Sequence, residues 1–73
     1  MKRVKGIDPK VSTDETGGIV SVLWYCPYCG EYNGGMYYSS KAEIMQDDFE
    51  IDHECEFCGK MVTIECVDAE KEF

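Results

Sequence analysis

Apolar and polar residues alternate along this chain in short blocks. Ile19-Val20-Ser21-Val22-Leu23-Trp24-Tyr25 concentrates β-branched and aromatic residues, the composition of a strand. Tyr32 to Tyr38 reads as its return strand, with Asn33-Gly34-Gly35 predicting a bulge or second bend before Met36-Tyr37-Tyr38. Phe49 to Cys55 alternates in part. Met61-Val62-Thr63-Ile64-Glu65-Cys66-Val67 alternates more clearly and places Val62, Ile64 and Cys66 on one face. These segments predict two β-hairpins. Between them, Ser40-Lys41-Ala42-Glu43 matches a capping box, and Ala42, Met45 and Phe49 recur at helical spacing. A short helix of about two turns is expected to lie there against the hairpins.

The ends of the chain carry weaker patterns. Met1 to Gly18 is polar, is interrupted by Pro9 and runs through Ser12-Thr13-Asp14-Glu15-Thr16-Gly17-Gly18, which reads as a mobile arm. Asp68 to Phe73 is a charged stretch expected to fray. The expected organisation is therefore a flexible arm over residues 1–18, one domain over 19–67 and a frayed tail over 68–73. A core this small is marginal without a cross-link or a metal.

The cysteines supply that stabiliser. Cys26-Pro27-Tyr28-Cys29-Gly30 and Cys55-Glu56-Phe57-Cys58-Gly59 are two copies of one phrase, with 25 residues between Cys29 and Cys55. Each Cys-x-x-Cys-Gly folds into a tight turn with both sulfurs on one side, and the glycine permits the positive φ such a turn needs. Two turns place four thiolates around one ion, enough to close a tetrahedron about Zn²⁺ at roughly 2.3 Å per bond. A closed shell leaves no position for water or substrate, so the metal is expected to be structural. It is also expected to hold the fold, since structural zinc contributes on the order of 10 kcal/mol of apparent binding energy.

Other uses of these cysteines fit less well. A disulfide framework belongs to secreted domains, and Met1-Lys2-Arg3-Val4-Lys5-Gly6 leads into polar residues rather than a signal sequence or membrane span. A cytoplasmic setting is the expectation. A redox Cys-x-x-Cys opens a helix, whereas Cys29 runs into Gly30-Glu31-Tyr32-Asn33-Gly34-Gly35. Iron also accepts four thiolates and stands as the alternative metal. Cys66, the fifth cysteine, reads as a small buried strand residue, and His53 as a strand-face residue or a neighbour of the metal site.

The chain displays no Gly-rich phosphate loop, no nucleophile motif and a single histidine, so it is not expected to be an enzyme. Most of its tyrosines are expected to serve in core and strand packing. Charge separates the remaining options. Residues 1–10 carry a net charge of +3 and residues 11–73 one of −11, for the total of −8. Such a body repels phosphate, which leaves only Lys2, Arg3, Lys5 and Lys10 as a weak tether for nucleic acid. The acidity is concentrated in Glu43, Asp47, Asp48, Glu50, Asp52, Glu54 and Glu56, with no Lys or Arg among them. That segment either keeps the protein soluble or docks on a basic surface of a partner protein. In the second case Glu43, Asp47, Asp48, Glu50 and Asp52 are the candidate partner-binding residues.

The paired Cys-x-x-Cys-Gly turns, the acidity and Asp47-Asp48-Phe49 give a partial resemblance to rubredoxins, which would imply an iron electron carrier. The shorter insert, the strand patterns flanking both turns and Lys60 after the second turn depart from that family. From Trp24 to Cys66 the chain resembles small zinc-ribbon proteins of the phage and bacterial type. The residues that carry the likeness are Cys26-Pro27-Tyr28-Cys29-Gly30-Glu31 and His53-Glu54-Cys55-Glu56-Phe57-Cys58-Gly59-Lys60. The resemblance implies a ribbon of two metal-bearing hairpins with Cys26, Cys29, Cys55 and Cys58 as ligands. It does not imply a function, since zinc ribbons serve transcription, translation and protein assembly alike. The expected role is a non-catalytic acidic module that binds or regulates a protein of nucleic-acid machinery.

Overall fold

The computed structural model describes residues 1–72; the expectation for Phe73 lies outside the described residues. Among the described residues seven strands and one short helix follow in the order β1 (Lys2–Lys5), β2 (Ile7–Thr13), β3 (Gly18–Tyr25), β4 (Tyr32–Ser39), α1 (Lys41–Ile44), β5 (Asp48–Glu54), β6 (Met61–Val67) and β7 (Glu70–Lys71). They form a three-stranded sheet, β1-β6-β5, and a four-stranded sheet, β4-β3-β2-β7. The two expected hairpins are present as β3–β4 and β5–β6, both antiparallel, one in each sheet.

The period-2 patterns fill the space between the sheets. Val20, Val22 and Trp24 of β3 and Val62, Ile64 and Cys66 of β6 are each at most 1% exposed and share one core with Val11, Ile44 and Phe49. Burying such side chains stabilises the fold by about 1.5–3 kcal/mol apiece. Trp24 also satisfies its indole N–H by donating to the Tyr37 hydroxyl at 3.1 Å.

The segment expected to be a mobile arm is instead built into both sheets. β1 pairs in parallel with β6, Lys2 opposite Val62 through Lys5 opposite Glu65, and turns half-buried Val4 inward. β2 then pairs antiparallel with β3. The chain crosses from one sheet to the other at buried Gly6, whose N–H donates to the Glu65 carbonyl at 2.7 Å. A Cβ there would stand 2.5 Å from Val22 Cγ2 and 3.1 Å from the Glu65 oxygen, so only glycine lets the strands approach this closely. The polar run after β2 is an ordered turn as well. Asp14 Oδ1 accepts from the Thr16 N–H, the Thr16 hydroxyl and the Gly17 N–H at 2.8–2.9 Å, and these bonds hold its carboxyl below the usual range. What orders residues 2–13 is the unpaired flanks of β6 and β3, a tertiary demand that local composition does not display.

Three smaller expectations are also corrected. β4 pairs with β3 without interruption from Tyr32 to Ser39, so Asn33-Gly34-Gly35 forms no bulge; the register shifts between Ile7 and Lys10 instead, around Pro9. In the expected frayed tail, Glu70 and Lys71 form β7 against β2, and Ala69 is buried. The helix is a single turn. Its Ser40 hydroxyl accepts from the Glu43 N–H at 3.1 Å as a cap should, but the Glu43 carboxylate turns to the Ser39 hydroxyl at 2.8 Å rather than closing the box. Ile44 is the inward anchor, while Ala42 and Met45 face solvent. Among the described residues no helix is long and apolar enough to cross a membrane.

Candidate metal centre

Each Cys-x-x-Cys-Gly phrase is the tip of a hairpin: Cys26–Gly30 joins β3 to β4, and Cys55–Gly59 joins β5 to β6. The two tips share one backbone plan. Gly30 N–H donates to the Cys26 carbonyl at 2.8 Å and Gly59 N–H to the Cys55 carbonyl at 3.0 Å. Cys26 N–H closes on the Glu31 carbonyl at 2.9 Å and Cys55 N–H on the Lys60 carbonyl at 3.0 Å. Both glycines take the positive φ anticipated from the sequence, 78° at Gly30 and 75° at Gly59.

The tips meet sulfur to sulfur. Cys26 Sγ stands 3.7 Å from Cys58 Sγ, and Cys29 Sγ stands 3.7 Å from Cys55 Sγ. All four sulfurs lie within 4.8 Å of one another. Four sulfurs bonded tetrahedrally at about 2.3 Å stand about 3.8 Å apart, so the cluster is sized for one metal ion. The same spacing is far beyond the roughly 2.05 Å of a disulfide, and all five cysteines are free. Cys26 and Cys55 are buried, whereas Cys29 and Cys58 face solvent.

The protein environment divides the thiols in the same way. Burial pushes Cys55 up, but the backbone N–H groups of Cys58 and Phe57, the Asn33 amide and the Cys26 thiol outweigh it and bring Cys55 down to about 6. Cys26 moves down for similar reasons: N–H groups of Cys29 and Tyr28 overcome its burial. Cys29 is drawn down by the Glu31 N–H, yet desolvation and the three neighbouring thiols push it up to about 12. Four thiolates this close repel one another, so a cation is what permits all four to ionise.

Asn33 is the residue that sequence reasoning missed at this site. It is only 4% exposed and sits on β4, just beyond the first tip. Its Nδ2 donates to the Glu31 carbonyl at 3.1 Å and to Cys55 Sγ at 3.5 Å, while Oδ1 accepts from the Glu56 N–H at 3.3 Å. One amide therefore belongs to the first tip and holds the backbone and a sulfur of the second. An asparagine before Gly34-Gly35 reads as a bulge residue, and only the approach of the second tip gives its amide these partners.

Tyr28 makes a second connection across the centre. Its hydroxyl accepts from the Lys2 backbone N–H at 2.9 Å, and the ammonium groups of Lys2 and Lys60 lie 5.1 and 5.2 Å from its ring centroid. His53 is not part of the four-sulfur cluster; its ring tilts 50° against that of Tyr37 with centroids 4.0 Å apart. Cys66 is fully buried on β6, and burial pushes its thiol up to about 11.

The acidic candidates divide between two places. Asp48, Glu50, Asp52 and Glu54 alternate along β5 on its exposed face. Several already have partners: Arg3 pairs with Glu50, Thr63 donates its hydroxyl to Asp52 at 2.7 Å, and Asp68 N–H donates to Asp48 at 3.3 Å. Glu43 lies on α1, and exposed Asp47 follows it. Tyr25, Tyr32 and Tyr38 are 48–75% exposed, contrary to the expected packing role; only Tyr28 and Tyr37 pack against the core. No protein-family model, curated protein sequence or solved structure matches the chain, so what stands is a small β-rich protein with a four-cysteine cluster able to hold a metal ion.

Proposed function

We propose that this chain is a zinc ribbon: one Zn²⁺ held by Cys26, Cys29, Cys55 and Cys58 clamps two hairpins, and the body it stabilises is a non-catalytic protein-docking module. The carrying observation is the convergence of four sulfurs from two hairpin tips with the edge length of a tetrahedral thiolate site. Four protein ligands complete zinc's structural coordination and leave no open position for chemistry. A cytoplasmic location accords with five free cysteines.

Docking on a protein is favoured over binding nucleic acid by where the cations lie. Arg3 is engaged with Glu50 and Glu65, and Lys2 lies against Tyr28, so the basic N-terminus neutralises part of this protein's own acidic surface. The net charge of −8 leaves a body suited to a basic partner, which fits a regulator of nucleic-acid machinery.

Two measurements test this reading. Native mass spectrometry with metal analysis should find one zinc in a colourless protein; a red iron protein with a reversible redox couple would make it an electron carrier instead. Reversing charge at Asp47, Asp48, Glu50 and Asp52 should abolish capture of the partner with zinc content unchanged. Undiminished capture would remove the acidic surface from the function.

A further inference from the structure

The two sheets are joined along one side and open along the other. On the joined side the chain runs from β1 through Gly6 into β2, and the sheets end there in β1, three of whose four residues are charged, and in the two-residue β7, Glu70–Lys71. On the open side each sheet ends in an unpaired strand, β4 in one and β5 in the other, and the tilted Tyr37–His53 ring contact brings these two strands together. Unpaired edges offer free N–H and C=O groups to any passing strand, and proteins guard them with charge or proline.

The two edges are guarded very differently. β5, Asp48–Glu54, carries Asp48, Glu50, Asp52 and Glu54 on its exposed face. β4, Tyr32–Ser39, reads YNGGMYYS, with neither a charged residue nor a proline along its eight residues. Its exposed face presents Tyr32, Met36 and Tyr38 at alternate positions, 48%, 66% and 75% exposed, extended by Tyr25 edge-on to Tyr32 at 5.1 Å. Carboxylates frame this uncharged strip. Glu31 immediately precedes it, Glu43 accepts from Ser39 at its far end, and the acids of β5 line the exposed face of the other sheet.

We infer that the β4 edge is a strand-addition site for an extended basic segment of a partner protein. The inference rests on the acidic docking role proposed above and adds a place and a partner chemistry to it. The segment pairs its backbone with β4 over roughly 27 Å, the length of eight extended residues. Apolar side chains at alternate positions cover Tyr32, Met36 and Tyr38. The intervening positions carry Lys or Arg, which face the β5 edge and the negative potential of its carboxylates. Stacked sheets stand roughly 10 Å apart, so the β5 acids, on the far face of their sheet, attract that charge through the field they set up at the open side. Backbone pairing supplies affinity and the charge pattern supplies selection.

The test uses the metal-loaded, ¹⁵N-labelled full chain and a twelve-residue peptide of alternating valine and lysine. Two controls accompany it: alternating valine and glutamate, and a peptide with the lysines and valines in separate blocks. The alternating basic peptide should shift the amides of Tyr32–Ser39, and its binding should weaken with salt. Met36→Lys, which guards the edge, and the double variant Glu50→Lys with Glu54→Lys should each weaken it about tenfold or more while retaining metal. Shifts confined to Asp48–Glu54 would overturn strand addition yet leave an acidic docking face standing. Absence of any shift at about 1 mM peptide would also overturn it. Concentration-dependent shifts of the β4 amides without peptide would assign the edge to a second copy of this chain instead.

Discussion

Asn33→Ala removes a single buried amide that ties one knuckle to the other. The substitution deletes the donor to Cys55 Sγ and the acceptor for Glu56 N–H, and it leaves the Glu31 carbonyl without its side-chain partner. A hydrogen bond to an ionised acceptor is worth about 1.5–3 kcal/mol, and at 1.36 kcal/mol per decade the sulfur contact alone corresponds to a loss of metal affinity of about 10- to 150-fold. The usual effect of removing a partner of a metal ligand, about 10- to 100-fold, falls in the same range. Competition for Zn²⁺ against a chromophoric chelator measures it, and the sulfur-to-metal absorption of the Co²⁺ form reports whether electron density at Cys55 has changed. Asn33→Asp decides the cause. It keeps the shape and the acceptor for Glu56 but turns a carboxylate toward a thiolate cluster, so it should bind metal more weakly than Asn33→Ala. If the aspartate variant binds as tightly as wild type, or more tightly than the alanine variant, Asn33 acts through shape and backbone support, and the sulfur contact contributes nothing.

The remaining predictions concern the fold. Chelating the metal should abolish the native circular dichroism spectrum, and a native-like spectrum after complete metal removal would refute a metal-dependent fold. Because the Cys66 thiol is raised to about 11 from an ordinary 9.0, the native state favours its protonated form. Its contribution to stability is complete below pH 9 and lost as pH rises toward 11, so chemical denaturation should show a decline in that window that Cys66→Val lacks. Gly6→Ala should destabilise the protein by about 1–3 kcal/mol, read from the denaturation midpoint, because the added methyl meets Val22 and the Glu65 carbonyl. Deleting residues 1–5 should likewise lower that midpoint by baring one flank of β6; an unchanged midpoint would return the segment to the status of a dispensable arm.

Local chemistry was legible wherever a residue's role depends on its neighbours in the chain. A Cys-x-x-Cys-Gly phrase turns on itself, so the paired cysteines that could hold a metal ion, the positive φ of Gly30 and Gly59 and the hairpin around each tip follow from a few adjacent residues. The period-2 pattern of β6 likewise foretold that Val62, Ile64 and Cys66 point inward, because alternation along a strand is a property of the strand itself. Partnership between distant segments was not legible. Lys2-Arg3-Val4-Lys5 and Ile7–Thr13 look too polar to be strands, and they become strands because β6 and β3 leave backbone groups that need partners. Asn33 looks like a turn residue until the second hairpin brings Cys55 and Glu56 to it. The acidic segment was visible as a run of charge; only the sheet order reveals that it guards one edge while the uncharged edge beside it stays open. Sequence by itself determined the four clustered cysteines and the strands that carry them, since both are short-range. Tertiary structure decided which strands are joined, which polar groups are buried and which edge is free, because each depends on what the rest of the chain leaves unpaired.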